Sequence, residues 1–137
     1  MAHLRTDLKL SVRRVLLEEL TPVDQLRTMA KVDLLVTAHG GGEGWMVVMP
    51  VGSHIVEVAE WNRAEVYKSF AEWVGGIGWS KVVVPASPPN ASCVPAYDAG
   101  LDASNWTALR ATIETAVVTC VASGVNESVA IPKRQVY

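Results

Sequence analysis

The heptapeptide VDLLVTA, residues 32–38, constrains this chain more than any other stretch. It is apolar on both faces, and strands of that kind belong to parallel sheets covered by helices on each side. HGGGEG and then EGWMVVM follow at once, so the strand runs into a glycine-rich turn and a short helix that Pro50 ends. HIVEVAE, from His54, and the stretch 79–85 read as two further strands. Between them RAEVYKSFAEWVGG reads as an amphipathic helix with Val66, Phe70, Trp73 and Val74 on its inner side, stopped by Gly75 and Gly76.

The flanking segments complete the pattern. Leu4, Leu8, Val12 and Val15 or Leu16 recur at helical spacing, which predicts an N-terminal helix over about residues 1–14. VLLEEL at 15–20 reads as a short strand. In TPVDQLRTMAK, Thr21 is an N-cap, Pro22 the first helical residue and Asp24 a first-turn acid, with Leu26, Met29 and Ala30 facing inward. A loop over 87–104 precedes a last helix over about 104–122, whose inner stripe is Leu109, Ile113, Val117 and Cys120. Residues from about 125 to 137 read as a loose tail. Strands alternating with helices predict a single Rossmann-like three-layer α/β domain with a mostly parallel sheet over 1–137.

Composition narrows the function. Twelve basic residues against 14 acidic ones leave a net charge of −2, which argues against nucleic-acid binding by bulk electrostatics. No apolar run approaches the ~20 residues that span a bilayer, and charges at Arg5, Asp7, Lys9, Arg13 and Arg14 leave no visible targeting signal. The two cysteines, Cys93 and Cys120, either pair or stay as buried thiols. His39 and His54 are too far apart in pattern for a metal site, and none is expected. His54 reads as a surface turn residue.

The strand–glycine–helix junction carries the chemistry. Glycines allow close approach of backbone N–H groups, and a helix N-terminus adds donors and partial positive charge. His39, Gly40, Gly41 and Gly42 thus form either an anion cradle for a diphosphate or merely a tight turn. Glu43 would repel a diphosphate unless it points away. Glu57 is either a polar-face carboxylate or a ligand of ribose hydroxyls, and Trp45 either plugs the core or stacks on a bound base or sugar. Three of the four asparagines, Asn90, Asn105 and Asn126, lie in N-x-S/T sequons, where chance gives about half a match. This predicts passage through the secretory pathway.

The run LTPVDQLRTMAKVDLLVTAHGGGEGWMVVMPVGSHIVEV resembles the C-terminal signature of family 61 glycosyltransferases. The matching positions are Leu20, Thr21 and Gln25, then His39 to Gly42, then Pro50 and Gly52, then Glu57 and Val58. Glu43 stands where that family has leucine, Trp45 where it has a polar residue, and Gly41 where it has alanine. The resemblance implies one half of a two-domain GT-B enzyme. Such an enzyme inverts configuration, needs no metal or other cofactor, and uses a nucleotide-sugar donor such as a UDP-sugar. His39, Gly40, Gly41 and Gly42 would line the donor diphosphate, with Glu57 near the nucleotide. A glycan or protein would be the acceptor, an N-terminal half would supply acceptor contacts and the base, and the full-length enzyme would reside in the Golgi. The alternative is a non-catalytic nucleotide-binding or interaction domain that kept the fold.

Overall fold

The computed structural model describes residues 11–60, 64–84, 103–122 and 135–136. It is an α/β domain with a parallel sheet. The strands are β1 (Ser11–Val12), β2 (Leu34–Ala38), β3 (His54–Glu60), β4 (Gly78–Val84) and β5 (Gln135–Val136), in the spatial order β1-β5-β2-β3-β4. The helices are α1 (Pro22–Met29), α2 (Val66–Val74) and α3 (Ala103–Ala122). The weight of the sheet lies in β2, β3 and β4, paired in register from Leu34↔His54 to Ala38↔Val58 and from His54↔Gly78 to Glu60↔Val84.

Alternation along the strands makes the three layers. Leu34, Val56 and Val82 point to one face and pack under Leu109, Ile113 and Ala116 of α3. Leu35 and Ile55 point to the other, where Met29, Met46, Met49, Ala71 and Ile77 cover them. The Rossmann-like expectation for the core is therefore met.

The start of α1 follows its sequence signals. Thr21 Oγ1 accepts the Asp24 N–H at 3.2 Å, and Pro22 occupies the first turn. Gln25 Nε2 donates to the carbonyls of Leu17 at 2.8 Å and Leu20 at 3.2 Å. This capture explains a correction. Residues 15–20 are not a strand: Leu17–Glu19 form a 3-10 turn. The slots on both sides of β2 are taken by β5 and β3.

Other expectations change with context. The predicted N-terminal helix fails at Ser11–Val12, which pair with β5, and residues 1–10 lie outside the described residues. Gln135–Val136, expected in a loose tail, form a parallel strand between β1 and β2. On α2, Ala71 is buried while Val66 and Trp73 are 60% and 78% exposed, so the inner stripe is Tyr67, Phe70, Ala71 and Val74. Leu26 and Ala30 are likewise exposed, and Met29 alone of that set is buried. Most of the long loop, with Cys93, and the Cys120 side chain lie outside the described residues. No described helix is long and apolar enough to cross a membrane.

Candidate functional site

β2 ends at Ala38, and the chain keeps its extended register for one more residue: the His39 N–H donates to Val58 O at 2.9 Å. Positions 35, 37 and 39 of this segment share a face with 55 and 57 of β3, because side chains alternate along paired strands. His39 and Glu57 thus meet at the carboxyl edge of the sheet. A hydrogen bond joins His39 Nδ1 to Glu57 Oε1, and the Trp79 indole N–H donates to Glu57 Oε2 at 3.0 Å. Glu57 is wholly buried, while the His39 side chain is 24% exposed. Tyr67 of α2 stands edge-on to the His39 ring, with centroids 5.3 Å apart.

Next the chain turns through Gly40 into a 3-10 helix, Gly41–Val48, rather than the separate turn and later helix that the sequence suggests. The turn brings Glu43 back over the strand end. The Glu43 N–H donates to Gly40 O at 3.1 Å, and Glu43 Oε1 accepts the Gly40 N–H at 3.2 Å. Such a reciprocal pair satisfies donors that a helix start leaves open. Glu43 is fully buried, and its Oε2 has no hydrogen-bond partner. Burial pushes its carboxyl up from 4.5 to about 8 and the Glu57 charge adds to the rise, while the Gly40 N–H and the nearby Trp79 indole, whose N–H bonds Glu57, oppose it. At neutral pH Glu43 is therefore mostly an uncharged acid, and the repulsion expected of a carboxylate at this loop is largely removed. Tyr67 is raised too, by burial first and then by Glu43 and Glu57.

The glycines divide by direction. A Cβ at Gly40, Gly41 or Gly44 would meet nothing within 4 Å, whereas one at Gly42 would touch Leu17 Cδ1 at 3.8 Å. Gly42 faces the domain; Gly40 and Gly41 face open space. Trp45 is half-buried and packs on the methionine-rich core, as a plug would. Glu57 needs correction, since both its oxygens are engaged inside the protein and none is presented to a ribose. It positions His39 instead.

Sequence reasoning missed Glu43 as a member of the site. His39, Glu43 and Glu57 each bring a donor atom to within 4.8 Å of the others, a convergence made by strand register and one helical turn. Only the glutamate three residues beyond Gly40 hinted at it, as a helix-start signal.

His54 is no surface residue. It is 6% exposed, its Nε2 bonds Ser80 Oγ at 2.8 Å, and its buried Nδ1 lacks a partner. Gly78 must be glycine here, because a Cβ would lie 2.2 Å from that Nδ1. Paired with the start of β4, His54 sits at the amino edge, five strand residues or about 16 Å from His39. Burial holds its pKa below the ordinary 6.5. A histidine depressed in this way contributes nothing unfavourable above pH 6.5, and stability is lost as pH falls below it. Expected result: His54→Asn removes part of the acid destabilisation between pH 6.5 and 5 in thermal melts. An unchanged acid limb would contradict the burial argument.

Asn105 is the third residue of α3 and half-buried; Asn90 and Asn126 lie outside the described residues. No known protein family matches the chain, nor does any curated protein or solved structure.

Proposed function

We propose that the chain is the donor-binding half of an inverting glycosyltransferase that uses a nucleotide-sugar, with a glycan or protein as acceptor. The observation that carries this reading is the open space in front of Gly40 and Gly41 at the carboxyl edge of a parallel sheet. In open α/β sheets ligands bind beyond the carboxyl ends of the strands. Neither internal packing nor a left-handed backbone demands glycine at these two positions, so their bareness suits a ligand that approaches the main chain. The amino end of the 3-10 helix adds partial positive charge.

In this reading His39, fixed by Glu57 and flanked by Tyr67, hydrogen-bonds a phosphate oxygen as negative charge grows on the leaving diphosphate. Neutral Glu43 lets that anion approach. The acceptor's base belongs to a second half. The three sequons support a secretory or Golgi setting, with Asn90 and Asn126 the proposed acceptors of glycan.

The test is a titration of the isotope-labelled chain with UDP. Amide shifts are expected first at residues 39–44, and Gly41→Val is expected to weaken binding about tenfold or more by blocking backbone approach. No shifts at millimolar UDP, or shifts scattered over the surface, would sink the proposal.

A further inference from the structure

We propose that His39, Glu43 and Glu57 form a site for one divalent ion of the zinc and manganese class. Their donor atoms already lie within 4.8 Å of one another. Tetrahedral coordination with bonds of about 2.1 Å sets ligand atoms about 3.4 Å apart, so the wider gaps must close by roughly an ångström. The His39–Glu57 contact opens as the ion takes the place of its proton.

A second observation points to a ligand. Glu43 Oε2 is buried without a hydrogen-bond partner, in a residue with no exposed surface. Buried polar atoms are nearly always satisfied, and a buried carboxyl oxygen without a protein partner is available to a cation. The other atoms of the set are held from behind. Gly40 N–H bonds Glu43 Oε1, Trp79 N–H bonds Glu57 Oε2, and the sheet holds the His39 backbone. Such outer partners orient metal ligands.

The donor set chooses the ion. One imidazole and two carboxylates suit zinc or manganese; calcium and magnesium favour sites made of oxygen alone. Two carboxylates balance the ion's charge in a buried place, the Glu43 acid releasing its proton to solvent as the ion binds. Three protein ligands leave at least one position open, toward the partly exposed side of His39. Glu43 replaces the leucine of the glycosyltransferases that the sequence resembles, so the site belongs to this chain and not to their metal-free reaction. It also stands independently of the nucleotide proposal, since the ion is titrated without nucleotide.

The untagged chain, stripped with EDTA and dialysed, is titrated with Zn²⁺ by calorimetry and with Mn²⁺ by NMR line broadening. One Zn²⁺ per chain is expected, weakened about tenfold or more by Glu43→Gln. Mn²⁺ should broaden amides of residues 39–43, 57 and 67 first. Glu72→Gln, on the exposed side of α2, should change nothing. Should Glu57→Gln fail to fold, Glu43→Gln still decides, because it is isosteric with the protonated acid. Absence of saturable binding, binding indifferent to Glu43→Gln, or broadening centred elsewhere would each overturn the site.

Discussion

Replacing Glu43 with glutamine is expected to raise the melting temperature at pH 8 by roughly 10 °C and to flatten the dependence of stability on pH. In the folded chain the Glu43 carboxyl is pushed from 4.5 to about 8 by burial and by the Glu57 charge. The folded state therefore binds more protons than the unfolded state between these values. Stability from this group is complete below pH 4.5 and is lost as pH rises through about 8. At about 1.4 kcal/mol per pH unit the loss has an upper bound of about 5 kcal/mol, and about half of that is the expected swing. For a domain of this size each kcal/mol moves the melting temperature by about 4 °C. The groups facing Glu43 are His39 just past the end of β2, Glu57 from the middle of β3 and Tyr67 from α2. Glutamine keeps the shape of the protonated acid and carries no charge to desolvate. Melts from pH 5 to 9 with EDTA present decide the matter. A wild-type curve that stays level from pH 5 to 8, or a variant that shows no gain at pH 8, would contradict an uncharged buried Glu43.

The sheet core was legible because its strands say where they lie without help from distant residues. Leu34, Leu35 and Val36 are consecutive apolar residues, so each face of the strand carries a side chain that needs cover, which α3 and the methionine-rich layer provide. The start of α1 was equally local: Thr21, Pro22 and Asp24 act within one turn. What failed depended on partners outside the segment itself. VLLEEL has the composition of a strand, yet Gln25 draws its carbonyls into a 3-10 turn. Gln135–Val136 look like tail, yet they lie between β1 and β2.

The site divides in the same way. His39 and the glycines were visible because strand, turn and helix are consecutive. Glu57 was visible as a charge in an apolar strand, but its role was not, since the register Thr37↔Glu57 is what carries it to His39. Glu43 reads as a liability in one dimension. In three it caps Gly40 and lies against Glu57 while burial keeps it neutral. His54 was misread because Gly78, whose missing side chain makes room for the ring, lies across the sheet.

The second large effect concerns catalysis: the 137-residue chain alone is expected to transfer no sugar. A GT-B reaction takes place between two halves, and under the function proposed above this domain would supply only the donor side of the cleft. Holding donor and acceptor together accounts for roughly 7–11 kcal/mol of such barriers, which a lone half forfeits. That is about five to eight powers of ten in rate. An open half-pocket also leaves the departing diphosphate in water, where each hydrogen bond from the glycine loop is weaker. The assay is purified chain with a panel of UDP-sugars and mixed acceptors, read by product mass. Turnover by the chain alone would overturn the two-half reading and require a base within it. His54 is a poor one, being buried at the amino edge about 16 Å of strand from the loop. The search would then turn to Asp98 and Asp102, which precede α3 in the sequence. If Asp98→Asn and Asp102→Asn both kept the activity, no carboxylate of that segment would be the base, and the groups at the loop, Glu43 and His39, would be replaced next.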